Sequence, residues 1–141
     1  MKRMIASMVA AVSMALTVFA IAQRAEAAEA PADRVVVMYF HRTERCATCL
    51  KMGSYSEEAV KSGFVEQLKD RTVEFHYIDF QDKKNAALVK GYRISGPALV
   101  VAKVVGNKVA GFKNLEDIWM KVVDKKEFVK YVQENVAAYC K

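Results

Sequence analysis

The apolar run Val35-Val36-Val37-Met38-Tyr39-Phe40 leads through a short polar stretch into Cys46-Ala47-Thr48-Cys49. No other feature of the chain constrains its fold as much. The run is β-branched and aromatic, too short for a helix and without polar alternation, which predicts a strand buried on both faces. His41 to Arg45 then reads as a loop, and the cysteines open a helix. At a helix start, unpaired N–H groups and the positive end of the dipole favour the thiolate of the first sulfur. The second cysteine lies one helical turn on, within reach of a disulfide. Cys46 is therefore the expected attacking thiolate and Cys49 the expected buried resolving thiol. Arg45 and the nearby Arg42 outweigh Glu44, so Cys46 is expected to ionise below the ordinary thiol range.

Two plainer readings of the same cysteines are weaker. Structural zinc takes four ligands, usually two such pairs, and beyond this pair the chain offers Cys140, His41 and His76. A purely structural Cys46–Cys49 disulfide would close too small a loop to constrain the unfolded chain much.

The chain has 141 residues, a length that fits one domain. Lys2 and Arg3 precede an apolar stretch from Met4 to Ala22, and small-x-small sites follow at Ala25-Glu26-Ala27 and Ala28-Glu29-Ala30. That layout predicts a cleaved secretory signal over residues 1–27 and a mature domain over 28–141. The competing reading is an uncleaved membrane anchor, since about 18 apolar residues can just span a bilayer. Cleavage after Ala27 removes three basic residues and one acid from a net charge of +6, leaving +4. No basic stripe with interleaved aromatics accompanies this charge, so no nucleic-acid partner is expected. Of the three cysteines, two can pair in an oxidising compartment and Cys140 is left over. Cys140 follows the 132, 136, 140 spacing of the last helix and is expected to be buried as a small apolar residue. Fraying at the chain end would instead permit a disulfide-linked dimer, although a monomer is expected.

Further along, residues 46 to about 62 read as a helix, with a second piece after Gly63; Val60, Phe64 and Leu68 form its inner stripe. Thr72 to Phe80 reads as a second strand, and a helix around Asn85 to Gly91 follows. Ala98 to Val104 and Lys108 to Phe112 form a hairpin around Gly106-Asn107, a pair that accepts positive φ. Leu115 to Val123 contains a short helix carrying Trp119, and Lys125 to Tyr139 is the last helix, with Phe128, Val132, Val136 and Tyr139 on one side. The expected order is β-α-β-α-β-β-α, an α/β domain with a mixed central sheet flanked by helices.

This order resembles the thioredoxin fold, and Tyr77-Ile78-Asp79, Lys90-Gly91-Tyr92-Arg93-Ile94 and Gly96-Pro97-Ala98-Leu99-Val100 extend the resemblance over most of residues 34 to 140. Phe40-His41-Arg42, Arg45 to Leu50, Ile118-Trp119 and Phe128 to Val132 are similar to a small exported thioredoxin-like group, the ArsF type labelled "nitrophenyl compound nitroreductase subunit". The resemblance implies fold and compartment rather than nitro reduction, for the chain shows no flavin signature. It also implies a cis Pro97 packed against the disulfide, with the Gly96 backbone free to pair with a substrate peptide.

The chain departs from the thioredoxin pattern in three places. Arg45 replaces the tryptophan before the first cysteine, Gly96 replaces a β-branched residue before the proline, and Val35 to Phe40 holds no buried acid to take a proton. Proton transfer then uses water, or His41 and Glu44 serve instead; histidine titrates near neutrality, and the plainer reading of His41 is a hydrogen-bonded loop residue. The supporting set around Cys46, Cys49 and Pro97 is Arg45, His41, Thr48 and Gly96. The expected protein is a periplasmic thiol–disulfide oxidoreductase that needs no bound cofactor and works on protein thiols or disulfides, with a membrane or periplasmic redox partner. Its rivals are a dithiol module holding copper(I) or trivalent arsenic and an accessory redox subunit of a membrane complex.

Overall fold

The computed structural model describes residues 29–141. The expected signal segment 1–27 lies outside the described residues. No helix among the described residues is long and apolar enough to cross a membrane.

Four strands form one mixed sheet: β1 (Arg34–His41), β2 (Val73–Asp79), β3 (Ala98–Val105) and β4 (Lys108–Asn114), in the order β2-β1-β3-β4. β1 runs parallel to β2 and antiparallel to β3, and β3 pairs antiparallel with β4. The helices are α1 (Ala47–Gly63), α2 (Val65–Lys69), α3 (Ala86–Gly91), α4 (Ile118–Lys121) and α5 (Lys125–Tyr139). A 3-10 turn at Lys83–Asn85 precedes α3. The chain is thus a small α/β domain with a four-strand mixed sheet and a Cys-x-x-Cys pair.

β1 has neighbours on both edges and apolar layers on both faces, which accounts for its lack of polar alternation. On one face Val35, Val37 and Tyr39 meet α1 and α5 through Met52, Ala59, Val60, Phe128, Val132 and Val136. Fully burying a side chain such as Phe128 contributes about 1.5–3 kcal/mol. On the other face Met38, Phe40, Val100 and Ala102 are covered by Tyr92, Ile94 and Phe80. The hairpin turn is as the sequence predicts: Gly106 and Asn107 adopt φ of 57° and 62°. Asp124 starts α5 by accepting hydrogen bonds from the backbone N–H groups of Lys126 and Glu127 at 2.9 and 3.2 Å.

Register decides where the chemistry sits. Phe40 near the end of β1 pairs with Ala98 at the start of β3, and His41 pairs with Asp79 at the end of β2. The loop into Cys46, the Gly96-Pro97 segment and the exit of β2 therefore share one end of the sheet.

Candidate active site

Cys46 is the N-cap of α1, with extended backbone (φ −73°, ψ 164°), and its Sγ accepts a hydrogen bond from the Cys49 backbone N–H at 3.2 Å. The sulfur thus takes the place that a serine or aspartate oxygen takes at other helix starts. Cys46 is exposed and Cys49 is buried. Hydrogen bonds lower the Cys46 thiol from its ordinary value: first the Cys49 side chain, then the Cys49 backbone N–H, with the Thr48 backbone adding to them. Burial pushes the Cys49 thiol up, and its bond to Cys46 pushes it the same way. The pair is chemically asymmetric, with the ionisable sulfur outside and the protonated one inside. The Thr48 side chain is exposed, so its contribution to Cys46 comes through its backbone.

The expected role of the arginines needs correction. Arg45 and Arg42 are not among the leading causes of the Cys46 shift. The Arg45 guanidinium lies 5.1 Å from the Tyr77 ring centroid and donates from Nη2 to His41 Nε2 at 3.1 Å. A long side chain beside an aromatic wall gains cation–π contact there, and its charge is thereby directed at the β-sheet side of the site. Arg42 lowers Cys49 rather than Cys46 among the principal influences.

His41 is buried, with Nδ1 2.8 Å from the Arg42 carbonyl and Nε2 facing Arg45. Only the tautomer with a hydrogen on Nδ1 satisfies both contacts, since a carbonyl accepts and a guanidinium donates. Both ring nitrogens are thus engaged in fixing the loop. The same loop is tied to the exit of β2: Phe80 N–H donates to the His41 carbonyl at 2.9 Å, and the Thr43 hydroxyl donates to Asp79 Oδ2 at 2.7 Å. The Thr43 hydroxyl, followed by the Gln81 backbone N–H, holds the Asp79 carboxyl below its usual range. Glu44 is exposed on this loop.

Three residues outside the expected site set complete the inner wall. Tyr39 is fully buried and its hydroxyl donates to the Cys49 carbonyl at 2.8 Å. Tyr77 packs edge-on against Tyr39 with centroids 6.0 Å apart and donates to Glu57 Oε2 at 2.9 Å. Burial, then the bond to Glu57, pushes the Tyr77 phenol up to about 12. Gly53 makes the arrangement possible, because a Cβ there would lie 2.9 Å from ring carbons of both tyrosines. A glycine inside a helix is the one local signal that could have pointed to this close approach.

Pro97 is brought to the cysteine end of the sheet, but its expected geometry is corrected. No peptide bond among the described residues is cis, so the Gly96–Pro97 bond is trans. Trans is intrinsically preferred by about 0.5–1 kcal/mol at such bonds. A Cβ at Gly96 would find nothing within 4 Å. Gly96 and Pro97 line a groove of about 360 Å³ with Ile94, Leu115, Ile118 and Trp119, and Trp119 is 47% exposed at its rim.

The expected burial of Cys140 also needs correction. The residue is exposed rather than buried, because it forms the C-cap of α5 beyond the last inward residue, Val136. His76, on β2, is exposed and pairs with Glu74 Oε2 at 3.1 Å through Nε2. No group of three or more His, Cys, Asp or Glu positioned to hold a metal ion occurs among the described residues.

No family model matches the chain, and no curated protein matches it. Among solved structures it is similar to one described as "Structure of a malarial protein", at 16% identity and a TM-score of 0.39. That likeness covers 65% of this chain and 96% of the other.

Proposed function

We propose that the chain is a thioredoxin-like thiol–disulfide oxidoreductase. The observation that carries this reading is the polarised pair: an exposed Cys46 Sγ capping α1, 3.2 Å from the Cys49 N–H, with the Cys49 thiol buried behind it. The sheet order β2-β1-β3-β4, with β1 and β2 parallel and the rest antiparallel, supports the thioredoxin-like part of the proposal. In the reaction, Cys46 thiolate attacks a protein disulfide and forms a mixed disulfide, releasing one substrate thiolate. Cys49 then loses its proton to water or to the departing substrate thiolate and attacks Cys46 Sγ, releasing the second substrate sulfur and leaving Cys46–Cys49 oxidised. The reverse sequence oxidises a dithiol substrate. Neither direction requires a bound cofactor. The layout of residues 1–27 supports export, and with it periplasmic proteins or a membrane redox protein as partners.

Trapping tests the reading. Cys49→Ser should accumulate mixed disulfides on Cys46 in the bacterial envelope, and Cys46→Ser should not. Equal trapping by the two variants, or none by either, would overturn it. Stoichiometric copper or arsenic retained by the reduced protein, without disulfide turnover, would favour a metal-holding dithiol instead.

A further inference from the structure

Cys49 is the resolving thiol in the proposed reaction, and its peptide groups are fixed on both sides. Its N–H is held by Cys46 Sγ at 3.2 Å and its carbonyl accepts from the Tyr39 hydroxyl at 2.8 Å. Tyr39 lies on β1, paired with Tyr77 of β2 and Leu99 of β3, so the carbonyl is tied to the central strand of the sheet. The missing side chain at Gly53 lets the phenol ring approach α1.

We propose that Tyr39 is a positioning residue for the resolving step, holding the first turn of α1 so that Cys49 Sγ is aimed at a disulfide on Cys46. The proposal rests on the thiol-exchange reading above. The resolving attack must close an S–S bond of about 2.0 Å inside one helical turn, so its rate depends on how that turn is held. Burial, followed by the neighbouring Cys49 charge, keeps the Tyr39 phenol protonated far above its ordinary range. Tyr39 is therefore a donor that orients the turn and not a base that removes the Cys49 proton. β1 carries no acid, and Tyr39 occupies the strand position that meets the resolving cysteine.

Stopped-flow reaction with one equivalent of dithiobis-nitrobenzoate, in a Cys140→Ser background, separates the steps. Cys46 thiolate breaks the reagent's S–S bond, forming a mixed disulfide and releasing one thionitrobenzoate. Cys49 thiolate then displaces the second thionitrobenzoate and closes Cys46–Cys49. The reagent gains two electrons, the dithiol loses two, and both thiol protons pass to water. Tyr39→Phe should slow the second release about tenfold relative to the first, the effect expected from losing one hydrogen bond in the attacking turn. Gly53→Ala, which places a methyl group against both tyrosines, should lower the same ratio. Circular dichroism of both variants confirms that they are folded. An unchanged ratio in folded Tyr39→Phe, beside two normal phases in the parent, would overturn the positioning role and leave thiol exchange intact. Equal slowing of both phases would also overturn it, as a general effect of packing. A parent protein that gives the first release and no second would overturn the exchange reading and the positioning role together.

Discussion

Cys46 and Cys140 are both exposed cysteines at helix ends, and the two ends are chemically opposite. Cys46 caps the N-terminus of α1, where its sulfur receives the Cys49 N–H. Cys140 caps the C-terminus of α5, where its own N–H turns back to the carbonyls of Val136 and Ala137. Donors converge on the first sulfur and lower its thiol. Partial desolvation raises the second, against an opposing influence from Lys103. Both thiols are exposed, yet their shifts run in opposite directions because hydrogen-bond donors meet one sulfur and desolvation dominates at the other.

The sharpest way to break this contrast is to remove each sulfur in turn. Cys46→Ser should abolish disulfide exchange, whereas Cys140→Ser should retain essentially all of it, read as turnover of a disulfide-bonded peptide. A large loss from Cys140→Ser would show that the α5 terminus shares in the chemistry.

Alkylation provides the next largest effect. At mildly acidic pH, iodoacetamide should label Cys46 well before Cys140 in the reduced protein, with the sites read by peptide mass mapping. The lower intrinsic nucleophilicity of a more acidic thiol narrows the difference without reversing it. Preferential labelling of Cys140 would reverse the assignment of reactive and quiet ends.

Cap chemistry gives a smaller effect on stability. Asp124→Ala removes the acceptor at the start of α5 and should cost about 1 kcal/mol in chemical denaturation. Cys46→Ser replaces one capping acceptor by another and should cost less. A greater loss from Cys46→Ser would mean that the sulfur contributes more to the fold than a cap does.

Much of this arrangement is legible in the sequence because the signals are local. The apolar run of β1, the cysteine spacing, Gly106-Asn107 and the Phe128, Val132, Val136 stripe each state their structure within a few residues. The inner wall of the site is not local. Tyr39, Gly53 and Tyr77 lie on three elements and meet only when β1 pairs with β2 under α1. Arg45 looked like a neighbour of Cys46 because it precedes it, yet a long side chain can turn toward an aromatic ring across the sheet end. Pro97 lies at the cysteine end of the sheet through the pairing of Phe40 with Ala98, and its peptide bond is trans. Adjacency in sequence proved a weaker guide to electrostatics than hydrogen-bond direction.

The smallest expected effect is on the pH dependence of stability. The folded Cys46 thiol lies below its unfolded value, so its contribution is fully present above the unfolded midpoint. It is lost as pH falls through the lowered folded midpoint. Reduced wild-type protein should therefore lose stability across that window relative to Cys46→Ser, as measured by denaturation midpoints. A flat difference would mean that the hydrogen bonds from Cys49 leave this sulfur unperturbed.

The most direct test is an ultraviolet titration of the thiolate in the reduced protein, with Cys46→Ser supplying the background. The absorbance specific to Cys46 should appear with a midpoint below the free-thiol value of about 8.5. A midpoint at or above about 8.5 would contradict the claim that the hydrogen bonds from Cys49 at the start of α1 lower this thiol.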